Sequence, residues 1–179
     1  MIMDRFGTVA YLGLGSNEDT PYDRCVEAIR RLTEFQEIRT VQCSPFYRTE
    51  PVGYSNQDWF INAALEIKTT LSPLRLLEVI QAIETEMGRI RTAIKGPRII
   101  DLDILLFNQD IVSDEDRLII PHPELHKRKF VLIPMNDIAS YVIHPAFGVS
   151  MKGLLDRCTD KSVVEWYADP VLIMQEKGS

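Results

Sequence analysis

The sequence lacks any apolar run that approaches the roughly 18 residues a membrane-spanning helix needs, so we expect no membrane span. It has only three cysteines, and their odd number and wide spacing favour reduced thiols in a cytoplasm over a disulfide framework. The first residues include an acid at Asp4 and no small-residue cleavage pattern, which argues against a secretory signal. The formal net charge of −6 argues against nucleic acid or an anionic membrane as a partner, so any polyanionic ligand needs a local cationic patch.

The composition is that of an ordinary globular protein. The chain has 179 residues, of which 45% are hydrophobic and 26% are charged. We find no internal repeat, low-complexity tract or linker in it. The length predicts one domain over residues 1–179, with a core over 8–140 and a C-terminal extension over 141–179.

Hydrophobic periodicity predicts an alternation of strands and helices. The predicted strands cover residues 8–15, 38–47, 60–69 and 101–107. Helices are predicted after Thr20 and after Ser72, each with a proline in its first turn and an apolar stripe. The order βαββαβ indicates an α+β, ferredoxin-like sandwich, an antiparallel sheet with both helices on one face. Beyond it we expect an apolar segment, FVLIPM, and a short helix near residues 151–157.

The stretch GPRIIDLDILL, residues 96–106, places two carboxylates in a strand that is otherwise apolar. Side chains alternate between the faces of a strand, so Asp101 and Asp103 point to the same face. Two like charges on a partly buried face repel each other and are costly to desolvate. We therefore expect something cationic beside them.

A basic segment precedes these two acids. It contains Arg89, Arg91, Lys95 and Arg98, with no acidic residue among them. Arginines bind phosphate oxygens through paired donors, and paired carboxylates hold Mg²⁺ that bridges to substrate phosphates, so the segment suggests a Mg-nucleoside triphosphate site. Ordinary salt bridges between a solvated loop and the two acids are the alternative.

Two other motifs are weaker indications of a site. The segment GLGSN, residues 13–17, lacks the third glycine of the dinucleotide fingerprint and the Gly-Lys-Ser/Thr of a P-loop, so we interpret it as a tight turn. His122 and His126 are four residues apart, but the prolines around His122 and the lack of a nearby cysteine argue against zinc. A phosphate-directed His122 is one interpretation, and an ordinary surface loop is the other.

Phe60 and Asn62 share one face of the third predicted strand. The amide of Asn62 can donate and accept at once, which suits a heterocycle with both kinds of group along one edge. Most buried aromatic side chains are simply core residues, so Phe60 alone is weak evidence for a ligand platform. We find no serine or cysteine in a nucleophile motif, and covalent catalysis therefore has no candidate.

Six segments together resemble a known family: YLGLGSN, SPFYRTEPVG, FINAA, GRIR, GPRIIDLDILLF and IPHPELHKRKFVL, in that order. They are similar to the 6-hydroxymethyl-7,8-dihydropterin pyrophosphokinases of folate biosynthesis, from about residue 9 to about residue 138. The resemblance implies a ferredoxin-like fold. It also implies transfer of pyrophosphate, in one piece, from Mg-ATP to the hydroxymethyl group of the pterin, with release of AMP.

The resemblance also implies roles for particular residues. Asp101 and Asp103 would bind two magnesium ions around the triphosphate, and Arg89 and Arg98 would stabilise charge in the transition state. The implied nucleotide-contacting set is Gln81, Glu84, Arg91, Arg98, Ile104, Arg117, His122 and Arg128. The implied pterin-contacting set is Thr49 and Val52 through their backbones, Asn62 through its amide, and Phe60 and Phe130 as a sandwich.

Two other functions remain open at this point. A nucleotide-sugar transferase also uses an Asp-x-Asp motif with a divalent metal, although this chain has little room for the half-domain it needs. A ferredoxin-like fold is also compatible with a non-catalytic ligand-sensing module, because a fold does not fix a function. Following ATP to AMP, with and without the hydroxymethylpterin, distinguishes all three.

Overall fold

A computed structural model describes residues 7–52, 56–90, 97–114 and 116–173. The strands in these ranges are β1 (Thr8–Ser16), β2 (Ile38–Cys43), β3 (Phe46–Thr49), β4 (Phe60–Thr69), β5 (Asp101–Phe107), β6 (Val112–Asp114), β7 (Leu118–Ile120) and β8 (Val164–Ala168). The α-helices are α1 (Pro21–Thr33), α2 (Pro73–Glu86), α3 (Lys129–Ala139) and α4 (Met151–Arg157). All the strands and helices predicted from periodicity are present, with one change in the second strand.

The predicted second strand, 38–47, is interrupted and forms β2 and β3. The interruption falls at Ser44 and Pro45, where proline has no N–H to give to a strand ladder. The hydroxyl of Ser44 instead accepts a hydrogen bond from the Ala64 N–H, at 2.9 Å, and the Ser44 N–H donates to the Ala64 carbonyl at 2.9 Å. Pro45 therefore divides the strand without leaving β4 unpaired at this point.

The main sheet is antiparallel and has the order β5-β1-β4-β3-β8, while β2 pairs with the other half of β4. β6 and β7 form a separate two-stranded hairpin. β5 is therefore one edge of the main sheet, and β8, from the C-terminal extension, is the other. The prediction of a mixed α and β protein with an antiparallel sheet is confirmed.

Helices cover both faces of the sheet. The first cluster of core residues packs α1 and α2 on one face, and it includes Leu12 and Leu14 of β1. The second cluster packs α3 and α4 on the other face, and it includes Tyr11 of the same strand. We call these the α1/α2 face and the α3 face. The segment FVLIPM, which the sequence marks only as apolar, lies within α3, with Pro134 inside the helix.

The alternation of β5 places its two acids on the α3 face. Leu102 and Ile104 are buried in the α1/α2 core, so Asp101 and Asp103 point the other way, as predicted. Leu105 and Leu106 are both in the α3 core, because the register between β1 and β5 shifts at this point. No helix in the described ranges is long and apolar enough to cross a membrane.

Candidate active site

The candidate site lies on the α3 face of the adjacent strands β5, β1 and β4. Strand pairing sets Asp101 of β5 opposite Gly15 of β1, and Gly15 opposite Asn62 of β4. In the next row of the same face, Asp103 is opposite Gly13. Neighbouring strands are about 4.8 Å apart, so the acids and the Asn62 amide lie on either side of a floor roughly 10 Å across. The floor between them is made of glycine.

The GLGSN segment is strand rather than turn, so the interpretation of residues 13–17 as a tight turn is wrong for its first four residues. A Cβ atom on Gly15 would lie 2.5 Å from Oδ1 of Asn62, closer than any real contact. A Cβ on Gly13 would meet the Leu105 side chain at 3.4 Å. Gly15 is therefore required by the amide that leans across it, and both glycines keep the floor open.

These strands, the start of α3 and the loops around them enclose a cavity that is open to solvent, which we call the pocket. The pocket is lined by these predicted site residues: Thr49, Val52, Phe60, Asn62, Arg98, Asp101, Asp103, His122, Arg128 and Phe130. Predicted pterin-contacting and phosphate-contacting residues thus meet in one place.

The two acids differ in their surroundings. Asp101 is bound by guanidinium groups, with its Oδ1 at 2.8 Å from Nη1 of Arg89 and its Oδ2 at 2.5 Å from Nη1 of Arg98. Burial, and then the neighbouring charge of Asp101, raise the pKa of Asp103 to about 7. The expectation that something cationic lies beside this pair is met at Asp101 by the two arginines. Asp103 is the acid whose surroundings favour an additional cation.

Glu84, on α2, stabilises the positions of Arg89 and of the β5 backbone beside the two acids. Its side chain is buried at 2% exposure, and its Oε1 accepts a hydrogen bond from the Leu102 N–H at 2.8 Å. Because β5 is an edge strand, this N–H has no neighbouring strand to pair with on that side. Oε2 of Glu84 is 2.6 Å from Nη1 of Arg89, so Glu84 and Asp101 hold one guanidinium between them.

His122 is a neutral hydrogen-bond donor at the wall of the pocket. Its Nδ1 accepts a hydrogen bond from the Glu124 N–H at 3.1 Å, which leaves the proton on Nε2. Burial, and then the charge of Arg128, lower the pKa of His122. A neutral imidazole that presents Nε2–H can donate to a phosphate oxygen without adding a charge.

On the opposite wall, Asn62 is held in place by a neighbouring hydroxyl. Its Nδ2 donates to Oγ1 of Thr49 at 2.6 Å, and both residues are buried. Phe60 lies on the same strand face as Asn62, and Phe130 enters the pocket from the start of α3. The Arg128 guanidinium carbon lies 5.7 Å from the centre of the Phe130 ring. The strand wall thus combines a fixed amide with the flat surface of Phe60, and α3, which packs over this face of the sheet, supplies the Phe130 ring.

Besides Glu84, three of the predicted nucleotide-contacting residues in the described ranges lie outside the pocket lining: Gln81, Ile104 and Arg117. The Ile104 side chain is buried in the α1/α2 core, so only its main-chain atoms could contact a ligand. Arg117 is 3.6 Å from Glu78 of α2, and Gln81 is one turn further along that helix. Both therefore lie at α2 and not in the pocket lining. Arg91 lies outside the described residues.

Asn17 is a residue that the sequence reasoning missed. Its Oδ1 accepts from the Arg98 N–H at 2.8 Å, and its Nδ2 donates to Oε1 of Gln57 and to the Asp58 carbonyl, both at 3.0 Å. The Asn17 N–H also donates to the Arg98 carbonyl at 3.0 Å. Asn17 thus joins the loop before β4 to the loop before β5. The side chain follows a strand directly and its partners are distant in sequence, so no local pattern marked it.

Three comparisons with known proteins show what this chain is similar to. A sequence model of the family described as "7,8-dihydro-6-hydroxymethylpterin-pyrophosphokinase (HPPK)" matches residues 11–140. The "2-amino-4-hydroxy-6-hydroxymethyldihydropteridine pyrophosphokinase" of Haemophilus influenzae is 42% identical over 136 residues, covering 76% of this chain and 84% of that protein. The protein of the same name from Methylorubrum extorquens is 47% identical over 132 residues, covering 74% of this chain and 83% of that one.

Among solved structures, the chain is similar to the HPPK-DHPS protein of Plasmodium falciparum, determined with pteroate. The TM-score is 0.67 with 18% sequence identity, and the match covers 84% of this chain and 42% of that one. At this identity the likeness supports the fold alone.

Proposed function

This chain belongs to the 7,8-dihydro-6-hydroxymethylpterin-pyrophosphokinase family, and from that premise we propose how its pocket performs the reaction. The chain is an enzyme of folate biosynthesis that transfers pyrophosphate from ATP to hydroxymethyldihydropterin. The hydroxymethyl oxygen bonds to the β-phosphorus, the bond from that phosphorus to the oxygen carried by the α-phosphorus breaks, and AMP leaves. The hydroxyl proton passes to solvent.

The pairing of Asp101, Gly15 and Asn62 in one row across β5, β1 and β4 is the observation that carries this proposal. It sets the acids and the heterocycle-binding amide about 10 Å apart, with a glycine floor between them. A pterin ring held at Asn62 therefore directs its hydroxymethyl group towards a polyphosphate at the acids. Catalysis then depends mainly on positioning and on charge stabilisation.

We propose that Asp101 and Asp103 hold magnesium, with two ions when ATP is bound. The fit is supported by two carboxylates on one face and by the raised pKa of Asp103, which a divalent cation would reverse. No group of three or more His, Cys, Asp or Glu residues that could hold a metal occurs in the described ranges. Mg²⁺ suits such a site, because it keeps several waters and takes its remaining ligands from substrate phosphates. Bound magnesium would neutralise charge on the transferred and departing phosphates.

The cationic groups around the acids contact the triphosphate in this proposal. Arg89 and Arg98, which pair with Asp101, would donate to the triphosphate oxygens and stabilise the charge that develops during transfer. Arg128 and His122 donate to phosphate oxygens from the pocket wall. Glu84 then serves by positioning Arg89 and the β5 backbone, which its buried contacts support.

The remaining nucleotide contacts are proposed at the outer edge of β5. Gln81 lies on α2, which also carries the Glu78 that pairs with Arg117, and Arg91 follows Arg89 in the chain. The buried side chain of Ile104 leaves a main-chain contact as its contribution.

For the pterin, we propose a sandwich between Phe60 and Phe130, with the Asn62 amide at the ring edge and backbone contacts from Thr49 and Val52. The hydrogen bond from Asn62 to Thr49 supports this assignment, because it fixes the orientation of the amide before the ligand arrives.

Three further assignments accompany this function. Counting β2 and β3 as one interrupted strand, the sheet order is fourth, first, third, second, which supports a ferredoxin-like βαββαβ unit. The α4 helix shares a core with α3 and β8 pairs with β3, which supports one domain that includes the extension. Cys25, Cys43 and Cys158 are free thiols, which supports a cytoplasmic location.

The test is conversion of ATP to AMP, with and without 6-hydroxymethyl-7,8-dihydropterin and with and without Mg²⁺. We expect AMP only when all three components are present, and none from Asp101→Ala or Asp103→Ala. Asp103→Ala should keep its fold, because it removes one charge from a repelling pair, whereas Asp101→Ala also removes the partner of Arg89 and Arg98, so its fold is checked by circular dichroism. Asp156→Ala, at an exposed ion pair with Lys152 on α4, is the control and should turn over normally. Near wild-type turnover by the Asp103 variant would overturn the assignment, and binding without turnover would favour a sensing module.

A further inference from the structure

The C-terminal extension, beyond the residues that match the family, reaches back to the pocket. The family match ends at residue 140, and the structure continues through α4 and β8. Between these two elements, residues 160–163 pass beside both the start of α3 and the end of β3. Those two positions carry opposite walls of the pocket, with Phe130 on one and Thr49 on the other.

At the first wall, Asp160 caps α3. Its Oδ2 accepts a hydrogen bond from the Lys129 N–H at 2.9 Å, and its Oδ1 accepts one from the Ser162 N–H at 2.9 Å. Arg128, the residue that precedes α3, supplies no side-chain cap of its own. A carboxylate at a helix N-terminus satisfies an N–H that has no partner within the helix and interacts favourably with the helix dipole.

The residue capped by Asp160 lies between two pocket residues. Arg128 and Phe130 flank Lys129, and both line the pocket. Fixing the Lys129 N–H therefore fixes the backbone from which both side chains project. A cap at this position acts on ligand contacts, in addition to helix stability.

At the second wall, Val163 is bound to Glu50. The Val163 N–H donates to Oε1 of Glu50 at 2.6 Å, and the Glu50 N–H donates to the Val163 carbonyl at 3.2 Å. From there β8 pairs with β3, with Val164 opposite Thr49. Only two residues separate Asp160 from Val163, so the spacing between the walls is set by a short piece of chain.

We propose that residues 160–163 form a strap that sets the distance between the two walls of the pterin site, and that Asp160 is its positioning residue. The inference rests on the proposed function, since it takes the pterin as the ligand between these walls. The strap lies beside both Phe130 and Thr49 of the pterin site, whereas among the proposed phosphate-contacting residues it reaches Arg128 through the α3 backbone. Its loss should therefore weaken pterin binding more than ATP binding.

The test compares Asp160→Ala, Asp160→Asn and Asp156→Ala. The asparagine variant keeps one acceptor oxygen without the charge, and the Asp156 variant removes an exposed acid from the same extension. We would measure the Kd of 6-hydroxymethyl-7,8-dihydropterin by calorimetry, the KM of each substrate, kcat, and the urea midpoint. For Asp160→Ala we expect pterin Kd and KM about fivefold higher, the effect of losing one helix cap, with the KM of ATP within about twofold of wild type. The pterin Kd and KM of Asp160→Asn should lie between those of Asp160→Ala and wild type, and those of Asp156→Ala should equal the wild-type values.

Unchanged pterin affinity in a folded Asp160→Ala protein would overturn the proposal. Equal losses of affinity for pterin and for ATP, in proportion to the loss of stability, would overturn it too. If the alanine variant does not fold, the asparagine variant decides by the same comparison of the two substrates. Failure of the proposed function is distinguishable, because the wild-type protein would then neither bind the pterin nor form AMP.

Discussion

At the scale of single residues, Gly15 has the most constrained role in the pocket. Every larger residue places a carbon at the position that the Asn62 side chain passes over, 2.5 Å from its Oδ1. Gly7, in contrast, precedes β1 and has no neighbour within 4 Å of a Cβ position. Gly15 is therefore the position to substitute, and Gly7, just before β1, is a matched control for the same substitution.

We predict that Gly15→Ala weakens pterin binding by about tenfold or more, because Asn62 must rotate away from the new methyl group and from Thr49. The ATP affinity should change much less, since the acids occupy the other side of the floor. Calorimetric titration with each substrate measures both effects. Gly7→Ala should leave both affinities unchanged, and wild-type pterin affinity in Gly15→Ala would contradict the placement of the pterin at Asn62.

At the scale of elements, the edge strand β5 is held in place at both ends of the stretch that carries the two acids. Its outer backbone is met by Glu84 from α2, and its register shift against β1 places Leu105 and Leu106 in the same core. The strand is therefore anchored at both ends of its acidic stretch. Anchoring keeps the two carboxylates together despite their repulsion.

The turn between α3 and α4 is organised around a second histidine, His144. Its buried Nδ1 accepts from the N–H groups of Ala146 and Phe147, at 3.2 and 3.3 Å, and its ring stacks on Phe147 with centroids 4.2 Å apart. Burial, and then the nearby His126, lower the pKa of His144 below its usual value. Protonation of Nδ1 would abolish both accepted bonds.

This pKa shift has a defined consequence for stability. The unfolded chain takes up the proton first as the pH falls below about 6.5, so His144 should lower the free energy of unfolding at acidic pH. We predict that the difference in unfolding free energy between wild type and His144→Asn is largest near pH 8 and shrinks as the pH falls below about 6.5. Urea denaturation at several pH values measures it, and parallel pH profiles for the two proteins would refute the prediction.

At the scale of the whole molecule, an acidic protein binds a polyanion. The formal net charge is −6, yet the pocket gathers Arg98 and Arg128, with Arg89 beside them. Local placement of cations decides this, because surface charges further away than about 10 Å are screened by salt. Magnesium would add the positive charge that offsets the repulsion between Asp101 and Asp103.

We predict that ATP raises the thermal midpoint of the whole protein only when Mg²⁺ is present. At a ligand concentration of a hundred times Kd the stabilisation is about 2.7 kcal/mol, and EDTA should remove most of it. Asp103→Asn should show little shift, whereas Asp156→Asn should show the full one. An equal shift in EDTA would mean that the acids do not hold a metal with the nucleotide.

The sequence by itself determined the βαββαβ elements, apart from the break at Ser44 and Pro45, and the pair of acids on one face, because helix and strand periods are local properties that a few consecutive residues express. The same alternation also turns the Ile104 side chain away from the acids, which the resemblance alone did not indicate. The resemblance supplied the pocket residues, most of which the structure brings together.

Only the tertiary structure decided how distant segments meet. The approach of Asn62 to Gly15, the links of Asn17 to both loops, the place of Glu84 under β5 and the return of Asp160 to α3 each join residues far apart in the chain. Such contacts depend on the register of strand pairing and on helix packing, which follow from the burial of the whole core. No local pattern contains that information, because a side chain that bonds across the fold has the same neighbours in sequence as one that does not.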